Sequence, residues 1–141
     1  LQTSVPDVYA AGDIANYFDP IFGKRRRVEH WQNAVDMATY AAREMLGVIQ
    51  DDFSTVRYFF SDVFDLSYEF WGDTEGATEV LHLGDFESGE IGIWWLKSDR
   101  VIAALLMNRP DAERKNAKRW IQEKRIVNPQ MFKEAITTLS E

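Results

Sequence analysis

Between Val56 and Met107 five β-prone runs follow one another, and this succession constrains the fold more than any other feature. Val56-Arg57-Tyr58-Phe59-Phe60 is aromatic and is broken by Ser61-Asp62, while Leu66-Ser67-Tyr68-Glu69-Phe70-Trp71 alternates and stops at Gly72-Asp73. Thr78-Glu79-Val80-Leu81-His82-Leu83 ends at Gly84-Asp85. Ile91–Leu96 and Val101–Met107 are joined by Lys97-Ser98-Asp99-Arg100, a link of hairpin length. These last two runs are apolar at successive positions, which predicts a sheet covered on both faces. Helices should supply the cover. Pro110, behind Asn108, opens one with Ala112, Ala117, Trp120 and Ile121 inward. Asn128-Pro129 opens another, with Met131 or Phe132, Ala135, Ile136 and Leu139 inward. Strands followed by helices give an α+β unit: an antiparallel sheet of about five strands with C-terminal helices.

The chain before this unit has a different grammar. Pro6-Asp7 makes a turn, and Val8-Tyr9-Ala10-Ala11 is an apolar run suited to a short strand covered on both faces. Gly12 lets the backbone approach a ligand closely, and Asp13 follows at the strand's carboxyl end, where open α/β sheets bind nucleotides. Asn16–Gly23 reads as a loop with Pro20 and Gly23 as breakers. It leads into Lys24-Arg25-Arg26-Arg27, either an anion site or, more simply, a solvated loop. From Val28 to Leu46 runs the clearest helix, with Trp31, Ala34, Val35, Ala38, Ala41, Ala42 and Met45 on one stripe and Gly47 ending it. The polar stretch Val48–Thr55 marks a boundary, so residues 1–47 and 48–141 form separate domains.

Composition narrows the function. The chain has 141 residues, 45% of them hydrophobic, enough for a proper core. Its net charge of -7 and pI near 4.9 argue against nucleic acid or an anionic membrane surface as the main partner. Without cysteine it has no disulfide, thiolate metal site or nucleophilic thiol. His30 and His82 lack further ligands at metal spacing, so no metal is expected. No signal-like or membrane-length apolar segment occurs, and a soluble cytoplasmic protein is the expectation. Asp62, Asp65 and Glu69 form an acidic set to which the sequence assigns no task.

The string Tyr9-Ala10-Ala11-Gly12-Asp13 resembles the second flavin-binding motif of the FAD-dependent pyridine nucleotide-disulfide oxidoreductases. Arg27-Val28-Glu29-His30-Trp31, followed by Asn33-Ala34, resembles the segment after that motif in the ferredoxin-reductase-like branch, which includes apoptosis-inducing-factor-like and monodehydroascorbate-reductase-like proteins. Tyr58-Phe59-Phe60-Ser61-Asp62, Tyr68-Glu69-Phe70-Trp71-Gly72-Asp73 and Trp95-Leu96-Lys97 with its hairpin into Val101-Ile102-Ala103 resemble that branch's C-terminal domain in order and spacing. So does the Arg119-to-Pro129 turn between helices.

The resemblance implies FAD as cofactor and NAD(P)H as co-substrate of an intact enzyme. It implies an acceptor such as a ferredoxin or a small molecule. Cofactor-binding roles would fall to Gly12 and Asp13, with Asp13 on the ribityl chain, to Glu29, His30 and Trp31 at the helix entry, and to Phe60 beside the flavin ring. At the Phe60 position relatives usually carry Trp or Tyr, so its polar handle is missing here. Neither histidine precedes proline, unlike the His-Pro acid/base pair of the glutathione-reductase branch.

Only Leu1 and Gln2 precede the stretch Thr3–Ala15 that carries the opening motif, the chain does not begin with Met, and no Gly-x-Gly-x-x-Gly occurs. The expectation is therefore a C-terminal fragment: residues 1–47 left over from the FAD-binding domain, residues 48–141 its C-terminal domain, the piece itself inactive and without stoichiometric FAD. The rival readings are a stand-alone α+β interaction module and a dimerisation domain that forms a homodimer.

Overall fold

A computed structural model of the chain describes residues 1–49 and 51–132, in two compact units, Leu1–Arg57 and Tyr58–Glu141. Ala135, Ile136 and Leu139, expected on the last helix, lie outside the described residues.

In the first unit the expected strand at Val8–Ala11 is reduced to one antiparallel bridge, Gln2 to Tyr9, with Thr3 N–H donating to the Val8 carbonyl at 2.7 Å. Val8 is exposed. A run this apolar becomes a buried strand only between two neighbours, and among the described residues its ladder partners are residues 1–3. The expected loop at 16–23 is instead a small hairpin of β1 (Tyr17–Asp19) and β2 (Lys24–Arg26). Asp19 explains it. Fully buried, it accepts from the Ile21 N–H at 2.8 Å and ion-pairs with Arg26, whose guanidinium lies 4.6 Å from the centre of the Phe22 ring. One member of the basic cluster is thus a fold residue, while Arg25 and Arg27 stay exposed.

Helix α1 (Trp31–Met45) buries Asn33, Met37 and Ala41. The predicted stripe is corrected: Trp31, Val35 and Met45 are exposed. Both stripes have helical spacing, and a polar residue wins the inner one because the Asn33 amide donates to the Val28 carbonyl at 3.2 Å and reaches Met37 Sδ at 3.1 Å. Around Met37 gather Ala15, Tyr17, Val28 and Phe53, with Tyr17 and Tyr40 edge-on to the Phe53 ring at 5.2 and 5.3 Å. Phe53, carried by the polar stretch, therefore belongs to this core.

The second unit holds all five expected strands: β3 (Tyr58–Val63), β4 (Leu66–Gly72), β5 (Glu79–Asp85), β6 (Glu90–Lys97) and β7 (Arg100–Met107). They form one antiparallel sheet in the order β3-β4-β7-β6-β5. Between β6 and β7 only Ser98 and Asp99 turn, at φ +50° and +60°, as a tight two-residue hairpin requires. Gly72 ends β4 at φ +90°, where an added Cβ would come 2.1 Å from the Ile102 carbonyl oxygen.

One face of the sheet carries the row Trp71, Ala104, Trp94 and Leu81, all buried. Helix α2 (Asp111–Gln122) covers it with Ala117, Trp120 and Ile121; Trp94 meets Trp120 at 5.8 Å and Phe132 at 5.1 Å. Of the two inward candidates after Pro129, Phe132 is the buried one and Met131 is exposed. Ala112 is exposed too; its expected inward place goes to Glu113, paired with Arg109. The opposite face carries Phe59, Phe70, Leu105 and Ile93, with Phe59 stacked on Phe70 at 4.9 Å and Trp95 edge-on to Phe70 at 5.9 Å. Among the described residues no element of this unit lies over that face, although Phe70 and Ala103 on it are buried. Burial along β6 alternates even though its residues are nearly all apolar.

Candidate functional site

Five of the six candidate residues share the first unit. Gly12 opens a 3-10 turn (Gly12–Ile14), closed by the Ala15 N–H on the Gly12 carbonyl at 3.0 Å. Its φ of +77° suits glycine, and it is buried so closely against α1 that a Cβ would touch the Ala34 Cβ at 3.4 Å. That contact seats the turn on the N-terminal half of α1. Asp13 follows with its carboxylate exposed.

The other three residues form the entry to the same helix. His30 is the N-cap in extended conformation, its carbonyl accepting from the Ala34 N–H at 3.0 Å and its Nδ1 from the Gln32 N–H at 3.3 Å. The imidazole therefore occupies one of the N–H groups that a helix leaves open at its start. Glu29 is exposed just before it, and Trp31, 71% exposed, is the first helical residue. A glycine turn, an exposed carboxylate, a helix N-terminus and an unpacked indole thus come together at one end of α1. The sequence located all of these residues, but it placed Trp31 in the core.

Phe60 stands in the second unit, on edge strand β3, and is 53% exposed. Its surroundings contain residues that sequence reasoning left without a task. Glu69 is its direct partner across β4. The Tyr58 hydroxyl donates to Glu69 Oε1 at 2.8 Å, and the other carboxylate oxygen, Oε2, lies 3.3 Å from Arg114 Nε of α2. Burial first, then the hydrogen bond to Glu69 and its negative charge, push the Tyr58 phenol up to about 12 from its ordinary 10.0. Pairing β3 with β4 around a turn at Phe64-Asp65 would have put Tyr58 diagonal to Glu69, so this contact was legible once the hairpin register was drawn.

The neutral phenol contributes stability that is complete below pH 10 and is lost as pH rises from 10 to about 12. Tyr58→Phe lacks that contribution. Its urea midpoint should start below that of the wild type at neutral pH and fall less across this window, as followed by far-UV circular dichroism.

Among the described residues there is no cluster of three or more metal-ligating side chains, and no helix is long and apolar enough to cross a membrane.

The model of the monodehydroascorbate reductase 3-like C-terminal domain matches residues 56–137. The peroxisomal monodehydroascorbate reductase 4 of Arabidopsis thaliana is 37% identical over 112 residues, 75% of this chain and 22% of its own length. The monodehydroascorbate reductase of Pisum sativum is 36% identical over 124 residues, 83% of this chain and 29% of its own length. Putidaredoxin reductase of Pseudomonas putida is 27% identical over 141 residues, all of this chain and 33% of its own length. Among solved structures, the covalent putidaredoxin reductase–putidaredoxin complex superposes with a TM-score of 0.86 at 26% identity, covering 99% of this chain and 34% of that one. The chain thus spans about a fifth to a third of the length of these relatives. With its five-stranded antiparallel sheet, its covering helix and the match over 56–137, the chain belongs to the monodehydroascorbate reductase 3-like C-terminal domain family.

Proposed function

We propose that this chain is the C-terminal part of an FAD-dependent NAD(P)H oxidoreductase, which passes electrons from NAD(P)H through FAD to an acceptor such as a ferredoxin or a small molecule. The observation that carries the reading is the seating of the Gly12-Asp13 turn on α1, whose N-terminus is formed by His30 and Trp31. The residues fit the cofactor. A glycine at positive φ leaves room for a close ligand, an exposed carboxylate accepts from ribityl hydroxyls, and a helix N-terminus favours the negative charge that a reduced flavin acquires.

When bound, FAD would supply the hydride and electron chemistry. The chain's own residues bind and orient. Asp13 holds a sugar-like hydroxyl, the α1 entry at Glu29, His30 and Trp31 presents N–H groups and an apolar plane, and Phe60 offers a flat ring as a wall. In this reading residues 1–47 complete an FAD-binding domain and residues 48–141 form the C-terminal domain. The 141 residues alone are inactive, and the setting is cytoplasmic. The putidaredoxin complex among the structural neighbours supports a ferredoxin-type acceptor. A homodimer through the second unit is the further partner class; sedimentation of the chain at high concentration tests it, and a strict monomer counts against it.

Asp13→Ala tests the central assignment in the longer protein that carries this chain. Loss of one hydrogen bond to a charged acceptor is worth about 1.5–3 kcal/mol, so FAD affinity should fall by about 10- to 150-fold in a fluorescence-quenching titration. Unchanged affinity would remove Asp13 from the site.

A further inference from the structure

Phe60 lies on an edge strand, so among the described residues only β4 fixes its backbone from the side, and over half of its surface is open. A ring that is to stand flat against another ring needs its angle set by something else. The next residue on the same face of β3 is Tyr58, whose ring lies 6.1 Å from that of Phe60 at an interplanar angle of 29°. Tyr58 is itself held on two further sides. Trp71, directly opposite it on β4, packs at 5.4 Å and 35°, and the hydroxyl is bonded to Glu69 at 2.8 Å. Glu69 is anchored from the helix layer by Arg114 Nε at 3.3 Å, and the same Nε lies 3.3 Å from the Arg109 carbonyl. A continuous path therefore runs from α2 through Arg114, Glu69 and Tyr58 to the face of Phe60.

We propose that Tyr58 is the positioning residue for Phe60, its ring clamped by Trp71 and by the hydroxyl-to-Glu69 hydrogen bond that Arg114 of α2 completes. The clamp gives an edge-strand side chain the rigidity of a core one. The raised Tyr58 phenol agrees with it, since the hydroxyl keeps its proton and remains a donor throughout the physiological range. Its use, orienting Phe60 toward a flavin or nicotinamide ring, rests on the function proposed above; the clamp itself does not.

The test uses the 141-residue chain with 4-fluorophenylalanine at position 60, read by 19F NMR. Tyr58→Leu removes the neighbouring ring and should move the resonance toward its random-coil position with a larger solvent isotope shift. Tyr58→Phe, Glu69→Met and Arg114→Met each cut the polar link alone and should shift or broaden the line part of the way, in the same direction. If Tyr58→Leu fails to fold, those three variants carry the test. Resonances that keep the wild-type position and width in every folded variant would overturn the clamp.

A second arm separates the clamp from its use. In the FAD-loaded longer protein, Phe60→Leu should lower kcat for NAD(P)H oxidation more than it changes KM, and Tyr58→Leu should reproduce part of that loss. Unchanged kinetics in Phe60→Leu would remove Phe60 from the flavin site, while the 19F result would still decide Tyr58.

Discussion

Trp94→Ala should lower the stability of the second unit by about 3–5 kcal/mol, the range for emptying a large aromatic from a packed core. Trp94 has no exposed surface and sits where sheet and helices converge, with Leu81 and Ala104 as its neighbours across β5 and β7. Trp120 at 5.8 Å and Phe132 at 5.1 Å close over it. Neither a main-chain shift of the sheet nor a rotamer change of Trp120 can fill a space the size of an indole. A unit of this size is worth only about 0.05–0.15 kcal/mol per residue, so the loss is a large part of its total. Urea unfolding followed by far-UV circular dichroism should show the midpoint falling with an unchanged slope. Trp94→Phe should lose much less, because a ring remains against Trp120 and Phe132. A loss below about 1 kcal/mol for Trp94→Ala would mean that α2 does not close this face.

Glu113→Ala should be comparably severe, for a different reason. Glu113 is 0% exposed, and its Oε1 accepts from Arg109 Nη2 at 2.6 Å and Nε at 3.1 Å. Both N–H groups converge on that one carboxylate oxygen, and the pair lies beneath the first turn of α2, with Arg109 itself buried. Taking away the carboxylate removes one member of a buried ion pair, which typically costs about 3–5 kcal/mol. Replacing both residues by apolar ones of similar volume, Arg109→Met with Glu113→Met, should restore most of that loss, since neither charge then has to be kept out of water. A double-mutant cycle on the same urea transition measures the coupling. Additive single and double effects would show that the pair contributes nothing.

The two units were unequally legible. In the second, all five strands expected from β-prone runs are present, four of them within two residues of the expected bounds; β3 runs on to Val63 through Ser61-Asp62, read as its break, because those two residues pair with Tyr68 and Ser67 of β4. In the first, a hairpin replaced a loop because Asp19 turns its carboxylate onto the Ile21 N–H and Arg26, a contact that no local pattern announces. The Val8–Ala11 run shows the limit from the other side. Its composition is that of a buried strand, but a strand is defined by partners, and among the described residues the segment's one bridge sets Gln2 opposite Tyr9.

The candidate site divides the same way. Gly12, Asp13, Glu29, His30, Trp31 and Phe60 were named from the resemblance of their motifs to a flavoprotein family. That His30 caps α1 through its ring, that Trp31 faces outward, and that Glu69 joins Tyr58 to Arg114 are matters of side-chain direction.

By itself, the sequence determined the α+β class, the five antiparallel strands, the helix after Arg27 and the positions of the flavin-like motif. These rest on short-range causes: periodicity, β-branched and aromatic runs, and glycine or proline stops. Only the tertiary structure decided which of two stripes on α1 is buried, which face of the sheet α2 covers, and which charges become internal partners. Those choices follow from what each side chain meets after the chain has folded back on itself, and a hydrophobic period marks a face without saying what will lie against it.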